Sequence, residues 1–87
     1  MITKSMQVNM PQGLDPSTVA LFIQIANMYE SKVYVETEDK KINAKSLMGM
    51  MSLLLRKGEK IEVMADGEDE EKAIDHIEKY LNNEMQA

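Results

Sequence analysis

The chain contains no cysteine and no tryptophan among its 87 residues. Without thiols, disulfide frameworks and thiolate metal centres are excluded. Aromatic residues are scarce too, with one phenylalanine and three tyrosines. There is no basic stripe, so nucleic-acid binding lacks both its electrostatic and its stacking component. No apolar run approaches the roughly 20 residues that span a bilayer. Met1-Ile2-Thr3-Lys4-Ser5 has no apolar stretch of the secretory kind. A cytoplasmic protein that contacts neither membrane nor nucleic acid directly is expected. A single domain over residues 1–87 of this size buries roughly 60–65% of its unfolded surface, which leaves no room for a deep, enclosed active site. Binding is favoured over catalysis, and no enzyme is expected.

The net charge of −5 is unevenly placed. Residues 66–87 hold eight acids against Lys72 and Lys79, whereas residues 1–65 hold seven acids and eight bases. The acids crowd the first turn of a candidate helix over Glu68–Asn83, where the helix dipole favours them. Glu68/Lys72 and Asp75/Lys79 have i,i+4 spacing, and Ala73, Ile74, Ile77, Tyr80 and Leu81 form the inward face. The acidic excess is therefore a solvated helix face.

Polarity alternates from Ile2 to Met10, which argues for a strand with one wet face, ended by Pro11-Gln12-Gly13. Asp15-Pro16 starts a helix running to about Tyr29: Asp caps free amides and Pro fits the first position. Val19, Phe22, Ile23 and Ala26 form its stripe, with Leu21, Ile25 and Met28 beside it. Lys32–Thr37 and Lys41–Ala44 read as a hairpin, and Lys60–Ala65 alternates again. Between them Ser46 caps a short helix over Leu47–Leu55, closed by Arg56-Lys57-Gly58. The order is β-α-β-β-α-β-α, and an α+β sandwich with one antiparallel sheet covered by helices is the natural solution.

Seven of the nine residues from Leu47 to Leu55 are large and apolar, more than a two-turn helix on a sheet can bury. With Met50, Leu53 and Leu54 in the core, Leu47, Met48, Met51 and Leu55 reach solvent as an adaptable docking surface. A phosphate on Ser46 would meet free helix amides beside Lys45, near Lys40 and Lys41, and would change the charge next to that surface. His76, the only histidine, lies at the margin of the last helix's apolar face and reads as a solvated side chain, with no cluster of metal ligands around it. Tyr29, Tyr34 and Tyr80 read as core-edge aromatics.

The segment Asn43-Ala44-Lys45-Ser46-Leu47-Met48-Gly49-Met50-Met51-Ser52-Leu53 closely resembles the regulatory-serine segment of HPr, the phosphocarrier of the sugar phosphotransferase system. Gly13-Leu14 before a helix start, the Lys57-Gly58 turn, Gly67-Glu68-Asp69-Glu70 and the element order match as well. The resemblance implies an open-faced β-sandwich: a four-stranded antiparallel sheet with three helices on one face. It also implies two phosphorylation points. One is a histidine at the start of the first helix, charged by enzyme I from phosphoenolpyruvate. The other is the serine, charged by HPr kinase/phosphorylase from ATP, after which the protein serves a catabolite control protein as corepressor. The first point departs from the family here. Gly13-Leu14-Asp15-Pro16-Ser17-Thr18 puts Asp15 at the histidine position and Ser17 at that of the supporting arginine. The pattern is similar to the Crh-type paralogues, which keep the serine and lack the histidine. They imply a regulator switched at Ser46, using Lys45, Ser17 and the apolar surface to meet the kinase and a transcriptional regulator or metabolic enzyme. The alternatives are a phosphocarrier with an acyl phosphate on Asp15, or an unmodified interaction domain.

Overall fold

In the computed structural model, residues 1–84 are described; residues 85–87 of the domain expected over 1–87 lie outside them. Seven elements follow one another: β1 Ile2–Gln7, α1 Pro16–Asn27, β2 Lys32–Glu36, β3 Lys41–Asn43, α2 Leu47–Met50, β4 Lys60–Asp66 and α3 Glu70–Leu81. The strands form one fully antiparallel sheet in the order β1-β4-β2-β3. Alternation places Met6, Val33, Val35, Ile42, Ile61, Val63 and Ala65 beneath the helices, while the other sheet face stays open. Val19, Phe22 and Ala26 of α1 meet Ala73, Ile77 and Leu81 of α3 in the same core. The expected open-faced α+β sandwich is the observed fold.

Several boundaries differ from the sequence reading. The first strand stops at Gln7 rather than Met10, because the chain swings away from β4 toward the end of α3. Val8 donates to the Glu59 carbonyl at 2.8 Å, then Asn9 donates to that of Leu81 at 2.8 Å. Val8 and Met10 stay buried. The first helix closes at Asn27, leaving Met28 exposed at its C-cap, and Leu21 is exposed as well.

The last helix begins at Glu70, so Glu68 sits in the preceding turn and only Asp75–Lys79, at 3.1 Å, forms the expected spaced ion pair. Asp69 precedes the helix without capping it. Its carboxylate instead accepts from the amides of Glu30 (2.8 Å) and Ser31 (2.9 Å) and from the Ser31 hydroxyl. One side chain thereby ties the α1–β2 turn to the start of α3. The Ser31 hydroxyl is the principal cause that holds the Asp69 carboxyl below the usual carboxylate range, followed by the Glu30 amide.

Candidate functional site

Two helix starts carry the residues singled out from the sequence. The first is built on the turn at Gly13, whose φ of +69° suits glycine. A Cβ there would strike the Leu55 carbonyl oxygen, so the turn lies flat against the segment after α2. Leu14 and Leu55 exchange backbone hydrogen bonds at 2.8 and 3.2 Å, which joins the entry of α1 to the exit of α2.

Asp15 follows as the N-cap in a reciprocal capping box with Thr18. Its Oδ1 accepts from the Thr18 amide at 2.9 Å and from the Ser17 hydroxyl at 2.9 Å, and the Asp15 amide donates to Thr18 Oγ1 at 2.7 Å. The Thr18 amide, then the Ser17 hydroxyl, hold the Asp15 carboxyl below its ordinary range. Behind it Tyr80 is buried and donates to the Thr18 carbonyl at 2.8 Å. Burial, and then the Asp15 charge, raise the Tyr80 phenol. Ser17 is thus part of the Asp15 cap. An acyl phosphate on Asp15 would give up the charge that these donors stabilise.

The second start is looser. Ser46 is half-buried, and its Oγ accepts from the Gly49 amide at 3.3 Å, the long end of the hydrogen-bond range. Gly49 lies within a helix because α2 rests on β3: a Cβ there would come within 3.0 Å of Ile42 Cγ2. Two of the cations expected around Ser46, Lys45 and Lys41, are engaged elsewhere. Lys45 Nζ donates to the Tyr29 carbonyl at 2.6 Å, at the far end of α1. Lys41 lies 5.1 Å above the Tyr34 ring on the open sheet face, and Lys40 sits at the hairpin tip.

The helix expected over Leu47–Leu55 has a single turn, Leu47–Met50, closed by the Ser52 hydroxyl donating to the Gly49 carbonyl at 2.7 Å. Beyond it the chain extends toward Leu14, so burial changes from helical period to alternation. Met50 and Leu53 are buried as expected, but Leu54 and Leu55 exchange roles. Leu55 is half-buried against the core, whereas Leu54 is 62% exposed. The exposed apolar patch beside Ser46 is therefore Leu47 (61%), Met48 (89%), Met51 (40%) and Leu54. Next to Leu54 an open groove of about 640 Å³ separates residues 52–55 from the hairpin tip at 37–40.

This topology has known counterparts. Residues 2–83 match the family model for the PTS HPr component phosphorylation site. The chain belongs to the HPr family. The HPr-like protein Crh of Bacillus subtilis (strain 168) is 39% identical over 85 residues, which is 98% of this chain and 100% of that protein. The HPr-like protein Crh of Halalkalibacterium halodurans is 37% identical over 84 residues, 97% of this chain and 100% of that one. The crystal structure of the phosphocarrier protein HPr from Bacillus anthracis str. Ames superposes with a TM-score of 0.87 at 36% identity, covering 92% of this chain and 95% of that one. Within the HPr family this chain is an HPr-like protein similar to Crh. No helix among the described residues is long and apolar enough to cross a membrane.

In this HPr-family chain some partnerships had no sequence signal. His76 is not simply solvated: its Nδ1 lies 2.6 Å from the Tyr29 hydroxyl, and the rings meet edge-on at 5.7 Å. Tyr29 therefore links α1 to α3 through its hydroxyl and to Lys45 through its carbonyl. Single side chains meeting partners 16 and 47 positions away leave no periodic trace in a sequence.

Proposed function

We propose that this chain is a non-phosphocarrier regulatory protein of carbon catabolite control, acting in the cytoplasm and switched by phosphorylation of Ser46. HPr kinase/phosphorylase supplies the phosphate from ATP. The Ser46 oxygen attacks the γ-phosphorus, the bond from that phosphorus to ADP breaks, and the hydroxyl proton passes to a base on the kinase. The added phosphate carries about −1.5 to −2 charges and three acceptor oxygens, enough to take over the cap toward the Gly49 amide. It then stands beside the patch of Leu47, Met48, Met51 and Leu54, which docks the kinase and afterwards a catabolite control protein or a metabolic enzyme. Lys45 and Ser17 flank that surface at the two helix starts. Leu55 contributes from below, through its pairing with Leu14.

The observation that carries this reading is the contrast between a Ser46 hydroxyl held by one long bond and an Asp15 carboxylate whose Oδ1 accepts from both the Thr18 amide and the Ser17 hydroxyl. Intact-mass spectrometry with site mapping, after incubation with ATP and HPr kinase/phosphorylase, tests it. One phosphate on Ser46, absent from Ser46→Ala, is expected. Labelling at another residue, or none, overturns the switch. Hydroxylamine-labile phosphate on Asp15, taken from phosphoenolpyruvate and enzyme I, would establish a carrier instead. Met48→Asp should keep the fold and lose the kinase and its downstream partner.

A further inference from the structure

We propose that Met48 and Met51 form an oxidation-sensitive site at which peroxide-class oxidants switch off the docking patch. The inference rests on the role given above to that patch. The chain has nine methionines and no cysteine, so no thiol is present to intercept an oxidant before the thioethers do. Burial grades those thioethers, with Met64 half-buried and Met51 at 40% between the extremes. Met6, Met10 and Met50 are at most 4% exposed, whereas Met48, at 89%, is the most exposed of the described methionines. Met50 is an internal control, because it is fully buried between two exposed neighbours in the same short segment. Met1 and Met28 are also exposed, but they sit at the chain start and at the end of α1, away from the patch.

The chemistry is a two-electron oxygen transfer. The thioether sulfur attacks one peroxide oxygen, an S–O bond forms as the O–O bond breaks, and the departing hydroxide takes the proton of the transferred oxygen to become water. Sulfur is oxidised and peroxide reduced. The product places a polar, chiral sulfoxide in the exposed apolar segment, where a docked partner must desolvate it. Met48 is two residues from Ser46, so an enzyme that reaches the Ser46 hydroxyl has to cover the Met48 side chain. Methionine sulfoxide reductases reverse the change, which makes it a switch separate from the phosphate.

Hydrogen peroxide treatment followed by peptide mapping gives the first readout. Met48 should oxidise fastest and Met50 should remain intact; equal rates at the two overturn the site. Ser46 labelling by HPr kinase/phosphorylase and ATP gives the second. The oxidised protein should be labelled about fivefold more slowly or worse, as expected for a polar group carried into an apolar interface. The Met48→Leu/Met51→Leu double variant, which conserves volume, should lose nothing on treatment. An unchanged rate after oxidation, or an equal loss in the double variant, overturns the proposal. If the untreated protein is not labelled at all, the kinase reading has failed, and retention on a phenyl column decides this one. Earlier elution of the oxidised wild type alone supports the patch switch, and unchanged retention overturns it.

Discussion

The two helix starts use the same device to opposite ends. Asp15 caps a twelve-residue helix with a charged group, which receives an amide and a hydroxyl at 2.9 Å each in a reciprocal box. Ser46 caps a helix of four residues with a neutral hydroxyl, through one bond of 3.3 Å. The first cap gathers its bonds on one oxygen, Oδ1, and a covalent change at that oxygen must break them. The second is spare capacity: a stronger acceptor placed on the same oxygen can satisfy the same amide better. Beneath both lies the Leu14–Leu55 bridge, which makes the rigid start a support for the adaptable one. On the function proposed above, the Ser46 start is the one open to modification and the Asp15 start is its scaffold.

The sharpest way to break this contrast is at Gly13. A Cβ there meets only backbone: the Leu55 oxygen, Lys57 N at 3.0 Å and Arg56 C at 3.1 Å, at a φ of +69°. Gly13→Ala should destabilise the fold by more than about 2 kcal/mol, combining left-handed strain with a clash that no rotamer relieves. That corresponds to a melting temperature lower by about 10 °C or more for a domain this small. A shift within a few degrees by calorimetry would mean that the start of α1 is not the rigid partner.

Acid provides the next test. The Asp15 and Asp69 carboxyls are both held below their ordinary range by hydrogen bonds made in the folded state. The unfolded chain therefore binds their protons more tightly, and protonation favours unfolding. Their contribution is fully present above about pH 5 and is lost as pH falls below about 4, through the lowered native values. Urea midpoints should stay level between neutral pH and that region and then drop. Asp69→Asn should begin lower at neutral pH and fall less steeply in acid. If Asp69→Asn retains the wild-type slope, its clasp on the α1–β2 turn is not what the titration reports.

Ser46→Ala should cost less, about 0.5–1 kcal/mol, the lower part of the range for a lost N-cap. Thermal melting measures it, independently of any phosphate. A loss of several kcal/mol would show that the hydroxyl is structurally committed and unsuited to modification.

Much of this was legible in the sequence because it is local. Asp15-Pro16 and Ser46 announce helix starts through side-chain chemistry that acts within three residues, and the strands through alternation. The excess of apolar residues from Leu47 onward announced a patch. Which leucine belonged to it was not legible, because the period changes from helix to extended chain after Met50 and moves Leu54 outward and Leu55 inward. The change is imposed by Leu14, about forty positions away, so no local window contains its cause. The Asp69 clasp was hidden for a related reason. An acid in the first turn of a helix expected from Glu68 reads as dipole compensation, and only the return of the α1–β2 turn shows that its oxygens are spent on Glu30 and Ser31.

The smallest expected effect sharpens the comparison most. Gly49, like Gly13, has no room for a free Cβ, but its nearest neighbour is the tip of a side chain, Ile42 Cγ2 at 3.0 Å, with Ser46 Oγ next at 3.6 Å. Ile42 can yield by a few tenths of an ångström. Alanine meanwhile favours the helical backbone by about 0.8–1.0 kcal/mol over glycine. The two effects oppose each other, and Gly49→Ala should change stability by no more than about 0.5 kcal/mol. Two Gly→Ala substitutions in one small domain would then differ by several-fold, according to whether the obstacle is backbone or a side-chain tip. If Gly49→Ala instead proves as damaging as Gly13→Ala, α2 is locked onto β3 as firmly as α1 is locked onto Leu55. The spare capacity at Ser46 would then reside in its oxygen alone, not in a helix that can adjust around an added phosphate.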